Sequence, residues 1–116
     1  MDLYHIWCDL KPGIKDLTLV ENLRNYLGRL QAQGLIECFR LTRRKLGLGS
    51  AGIGEFHIII ETKDLAQLDQ AFQAVASRRE PVEGEHFGVN SLVQNAVFAL
   101  YRDFPDPVRQ QGEERF

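Results

Sequence analysis

The stretch Glu55–Thr62, EFHIIIET, sorts its side chains by twos, with Phe56, Ile58 and Ile60 in one set and Glu55, His57, Ile59 and Glu61 in the other. A period of two is the signature of a strand, so this segment is read as central: one face dry enough for helices, the other carrying a histidine and two carboxylates. Leu3–Asp9 alternates in the same way, with Tyr4, Ile6 and Cys8 against Leu3, His5, Trp7 and Asp9, and Pro12 and Gly13 end it.

Between these two strands the pattern changes. Val20, Leu23, Leu27 and Leu30 recur at helical spacing, Thr18 and Glu21 have capping-box spacing, and Gly34 supplies a left-handed stop, which predicts a helix over about 19–33. Residues 35–44, LIECFRLTRR, are rich in strand formers, but their parity is ambiguous because Ile36 and Cys38 oppose Leu35, Phe39 and Leu41. Residues 46–54, LGLGSAGIG, match the dinucleotide-binding glycine pattern at Gly47, Gly49 and Gly52. That fingerprint requires a helix directly after it, whereas a strand follows, so a long hairpin loop is the reading. Asp64 with Gln67 caps a second helix whose stripe is Leu65, Leu68, Phe72 and Val75. Residues 78–90 read as a charged, turn-rich connection, and 91–102, SLVQNAVFALYR, as a final strand. Residues 104–116, with Pro105 and Pro107, read as a C-terminal arm on a domain of residues 1–103.

With 116 residues the chain is about one domain with one modest core, and 44% hydrophobic content is ordinary for a soluble protein. No apolar run approaches the ~20 residues of a membrane span, and the N-terminus lacks the basic and apolar regions of an export signal, so a cytoplasmic location is expected. A formal charge of −2 gives no general attraction to nucleic acid, although Arg40, Arg43, Arg44 and Lys45 cluster locally. Cys8 and Cys38 fall on first and second strands separated by a third, about 9.5 Å apart, too far for a disulfide.

The order strand, helix, strand, strand, helix, strand is the split βαβ pattern, an α+β, ferredoxin-like βαββαβ fold: a four-stranded antiparallel sheet, strands one and three central, both helices on one face. The opposite face then carries Leu3, His5, Trp7 and Ile59, Phe39 and Leu41, and some of Leu92, Phe98 and Leu100, too apolar to face water. The uncharged last strand would be an exposed edge. A homodimer answers both problems. On this element order and strand patterning, Leu3 to about Arg102 resembles the dimeric α/β-barrel superfamily, in which two sheets meet face to face and each subunit keeps a pocket between its sheet and helices or across the barrel. The resemblance implies a class that includes cofactor-free monooxygenases, isomerases, dehalogenating and haem-degrading enzymes, stress-induced proteins and many without an assigned role, and fixes no reaction.

His5 and His57 fall on adjacent central strands with the same facing, and Glu55, Glu61 and Asp9 share that parity. A histidine oriented by a carboxylate would move a proton in a pocket walled by Trp7 and Ile59, which makes His5, His57 and Glu61 the catalytic candidates. Trp7, Phe39, Arg43, Glu55, Ile59 and His86 are the ligand-binding candidates, with Arg40 or Arg43, by parity, receiving an acidic group. The competing reading makes the same groups a polar network fixing the dimer. His86 would be a third imidazole for a metal, but no spacing demands one, and neither metal nor other cofactor is predicted. Gly52–Ile58 faintly resembles the RNA-recognition strand motif, yet Glu55 and His57 or Ile59 stand where stacking aromatics belong, and nucleic acid is not an expected partner. The expected function is a homodimer binding a small, mainly apolar or aromatic molecule, with cofactor-free proton-transfer or monooxygenase-type chemistry as its enzymatic form. The rival is a non-catalytic assembly or regulatory module with a packed sheet face, as in amino-acid-sensing domains of this topology.

Overall fold

The computed structural model describes residues 1–105 and 107. In chain order the elements are β1 (Asp2–Leu10), α1 (Asp16–Ala32), β2 (Cys38–Arg43), β3 (Phe56–Thr62), α2 (Leu65–Ala76), α3 (Val82–Asn90) and β4 (Val93–Arg102). The sheet runs β2-β3-β1-β4 with every pair antiparallel, so β1 and β3 are central as expected. This is the ferredoxin-like arrangement with one helix added. Most of the arm expected over 104–116 lies outside the described residues.

The register of β1 on β3 sets the two faces. Tyr4, Ile6 and Cys8 stand opposite Ile60, Ile58 and Phe56, and these point toward the helices, while Leu3, His5 and Trp7 stand opposite Glu61, Ile59 and His57 on the open face. Leu19, Leu23, Leu27 and Leu30 of α1 close the core over Phe56, Ile58 and Ile60. Each fully buried leucine contributes about 1.5–3 kcal/mol relative to an exposed one.

Four expectations are corrected. Helix α1 starts at Asp16 rather than Leu19, Lys15 occupies its N-cap with no side-chain cap bond, and Thr18 instead donates its backbone N–H to the Lys15 carbonyl. The Thr18–Glu21 spacing therefore falls inside the helix rather than at its start, and Leu19 rather than Val20 leads the buried stripe. Strand β2 begins at Cys38, not Leu35, and pairs Phe39 with Ile60 and Leu41 with Ile58. That register turns Phe39 and Leu41 toward the helices and leaves Cys38, Arg40 and Thr42 on the open face. On β4, Leu100 pairs with Tyr4 and Phe98 with Ile6, so both face the helix side, and Val97, Ala99 and Tyr101 take the open face. Leu92 precedes the strand. Finally, residues 82–90 form a helix where a turn-rich connection was expected.

Two local features hold the sheet ends. The pairing of β1 and β4 shifts between Trp7 and Asp9, where β4 carries one extra residue, and Asn95 takes a φ of 57° there, a conformation that asparagine tolerates better than most residues. In the glycine-rich loop after β2, the Arg44 guanidinium donates to the carbonyls of Ile53 at 2.6 Å and Gly54 at 3.3 Å. Gly54 lies so close to β1 that a Cβ would sit 2.4 Å from the Cys8 carbonyl group. The loop is anchored through its arginine and its last glycine rather than being slack between strands.

Candidate functional site

Two places on this scaffold gather chemistry, one on each face of the sheet. On the open face, β1 and β3 bring the predicted histidines together: His5 Nδ1 and His57 Nε2 are 2.9 Å apart, sharing one proton between them. Trp7 stacks on His57 with ring centroids 4.4 Å apart, and Tyr101 of β4 meets His5 edge-on at 5.1 Å. Burial pushes both imidazoles below their ordinary pKa, and for His57 the neighbouring His5 adds to it. The buried Nε2 of His5 has no hydrogen-bond partner among the described residues. Whichever tautomer is adopted, this atom holds either a bare lone pair or an unaccepted N–H.

Among the described residues no carboxylate is hydrogen-bonded to either imidazole. Glu61 accepts a hydrogen bond from the Cys38 thiol, one strand away on β2, and that bond is the main reason the Cys38 pKa is pushed up to about 11. Glu55 pairs with Arg43 at 2.9 Å, and Arg43 also reaches Asp16 at 3.0 Å while covering the Phe56 ring. Asp9 accepts from the Glu55 backbone N–H at 2.9 Å, which with Asn95 holds its carboxyl below the usual range. Of the predicted site residues, His5, Trp7, His57, Ile59 and Glu61 share the open face. Arg43 and Glu55 pair off at the sheet end, Phe39 is packed among core residues, and His86 lies across the sheet on α3. A three-histidine cluster therefore does not form, and no group of three metal-ligating side chains occurs among the described residues.

The second place is a cavity of about 190 Å³ between the sheet and the helices. Its walls are apolar, from Ile6, Ile58 and Ile60 on the sheet to Leu27, Leu68 and Ala71 on the helices. Phe72 and Phe98 line it while about half exposed, at 47% and 57%, so they stand at its rim, with Tyr4 in ring contact with both. Helix α3 supplies polar groups. It is clamped to α1 by Arg29, whose guanidinium grips Glu85 at 2.8–2.9 Å, and by the Asn22 side-chain amide, which donates to the Gly88 carbonyl at 3.0 Å. That clamp sets His86 against Tyr26, rings 5.3 Å apart, and brings Asn90 to the same helix face one turn later. Burial pushes the Tyr26 hydroxyl up to about 12, keeping it protonated and able to donate.

Sequence reasoning missed this cavity as a place for particular residues. Tyr26 and His86 are 60 positions apart, and the helix that joins them was not recognised. A usable signal was present in His86 and Asn90 at i, i+4 in a segment that also carries the apolar Val82 and Val89 at helical spacing.

The whole chain, residues 1–116, matches the model of a family of unknown function (DUF6614). The chain belongs to that family. A search of curated proteins finds no match. Among solved structures, this DUF6614 chain is similar to a protein of Arabidopsis thaliana, with a TM-score of 0.69 at 9% identity over 89% of this chain and 95% of the other. It is also similar to a dimeric ferredoxin-like protein of unknown function from Jannaschia sp. CCS1, with a TM-score of 0.60 at 13% identity over 89% and 100%. A dimeric protein of unknown function and ferredoxin-like fold from Bacteroides fragilis gives 0.55 at 10% identity over 88% and 96%. At these identities the likeness is one of fold. Among the described residues no helix is long and apolar enough to cross a membrane.

Proposed function

We propose that this chain works as a homodimer that holds a small, mainly apolar or aromatic molecule in the cavity between its sheet and helices. The observation that carries the reading is the cavity itself: about 190 Å³ of space among apolar walls, open at a rim of aromatic rings. It is somewhat larger than the ~150 Å³ apolar cavity that suffices to bind benzene. The dimer reading rests on the open face, where Trp7, Ile59, Val97 and Tyr101 form an apolar surface around the histidine pair, and on the dimeric state of the Jannaschia and Bacteroides proteins of this fold.

The test is a melting-temperature screen with small apolar and aromatic compounds beside native mass spectrometry. A binding protein shows a concentration-dependent rise in Tm. Ala71→Leu, which adds three heavy atoms inside the cavity, should abolish that rise while leaving the subunit number unchanged. A screen without a single stabilising compound, on a folded protein, rejects the cavity as a ligand site.

A second reading is favoured by the unpartnered His5 Nε2. In it, the His5–His57 pair moves a proton to or from a molecule held against Trp7 and Ile59 on the open face, with no cofactor. His57→Gln separates the two: it abolishes turnover of an identified substrate in the second reading and leaves cavity binding intact in the first.

A further inference from the structure

We propose that the inter-layer cavity selects an uncharged, single-ring-sized molecule carrying one hydroxyl or carbonyl oxygen, which is read by Tyr26, His86 and Asn90; this rests on the cavity being the ligand site. The first ground is what the lining lacks. Aspartate, glutamate, lysine and arginine are absent from the lining among the described residues. On the helices that flank it, Arg29 and Glu85 are committed to each other where α3 packs on α1. A carboxylate or ammonium entering the cavity would lose its hydration without gaining a counter-charge, at a cost that no apolar contact offsets.

The second ground is what the lining offers. Among the described residues the Tyr26 hydroxyl, the His86 ring and the Asn90 amide take part in no hydrogen bond, although all three line the same space. Tyr26 can donate one hydrogen bond. A neutral imidazole and a carboxamide can each either donate or accept. Together they match one oxygen that acts as acceptor, as donor, or as both, which describes a ketone, an alcohol or a phenol. Beyond these three, among the described residues, only the Tyr4 hydroxyl and the Cys8 thiol bring polar side-chain atoms to the lining; walls such as Ile58, Leu68 and Ala71 offer only contact area, so a polar group of the ligand set against them would be stranded. The clamp of α3 on α1 gives the selection its rigidity, because Arg29–Glu85 and Asn22–Gly88 fix the helix that carries two of the three polar groups.

The experiment uses three probes of nearly equal shape, toluene, p-cresol and p-toluate, titrated at pH 7 into the 116-residue chain by calorimetry. The proposal requires p-cresol to bind about three- to tenfold more tightly than toluene, the range of one net hydrogen bond, and p-toluate to bind at least a hundredfold more weakly than p-cresol. Tyr26→Phe keeps the ring and removes the donor, and His86→Leu removes the imidazole; either should reduce the preference for p-cresol over toluene toward unity without weakening toluene. Equal binding of toluene and p-cresol to the unsubstituted protein overturns the polar selection while leaving the cavity reading in place. Binding of p-toluate as tight as p-cresol overturns the requirement for neutrality. If none of the three binds a protein with native circular dichroism, the cavity reading fails and this inference with it. Because the probe series runs on the unsubstituted chain, a variant that does not fold leaves the decision intact.

Discussion

Partial burial disfavours charge on His5 and His57, and their pKa values are lowered in the folded chain from the ordinary 6.5. The unfolded chain therefore binds more protons than the folded one between the lowered values and about 6.5. Stability from this pair is complete above pH 6.5, falls as the pH drops below it, and levels off beneath the folded values. Urea midpoints measured from pH 8 to pH 5 should decline, and His57→Gln should flatten the decline; an equally steep profile in the variant would assign the loss to other groups. The thiols give a second prediction at this scale. Burial pushes Cys8 up to about 11, and the Glu61 carboxylate does the same to Cys38. Both should react slowly with a disulfide reagent at pH 7.5, because the thiolate is the reactive form, and Glu61→Gln should accelerate Cys38 while leaving Cys8 unchanged.

At the scale of elements, the two candidate helix caps make a matched pair. Asp64 Oδ1 accepts the Gln67 N–H at 2.8 Å and Gln67 returns a bond to the Lys63 N–H at 2.8 Å, so Asp64→Ala should cost about 1 kcal/mol in denaturant unfolding. Thr18, one turn further along in its own helix, makes no cap bond, and Thr18→Ala should change stability by less than about 0.5 kcal/mol. Gly54→Ala should cost far more, about 1–3 kcal/mol, because its Cβ would meet the Cys8 backbone, which cannot turn aside as a side chain can. These cases also mark what the sequence made legible. Strands β1 and β3 were readable because the charged and histidine side chains of Leu3–Asp9 and of Glu55–Glu61 all fall on one parity, against an apolar set on the other. The phase of β2 was not, since Cys38, Phe39 and Leu41 are all acceptable on either side. Helix α3 hid behind Gly84, Gly88 and two glutamates, and its packing on α1 and α2 gives it a reason to form.

For the molecule as a whole, element order sufficed for the architecture, and strand order together with parity put His5 and His57 on one face of adjacent strands. The lining of the cavity was beyond such reasoning, because it comes from six of the seven elements and is defined by a missing volume rather than by a pattern along the chain. The open face carries the assembly prediction. Trp7→Arg should shift the sedimenting species from a dimer to a 13.3 kDa monomer with native circular dichroism; an unchanged dimer would place the interface elsewhere. Both faces depend on the extra residue in β4. Val93 and Phe98 lie on the helix side despite odd spacing, and Gln94 and Val97 point the other way, because the bulge at Asn95 resets the alternation between them. The strand thus contains its own frameshift and its own suppressor. Losing a residue at the bulge would straighten β4 and leave every other side chain on its present side, whereas losing one between Val97 and Arg102 would exchange cavity wall for assembly surface from that point onward. Length variation among related chains should accordingly be admitted at position 95 and refused further along the strand.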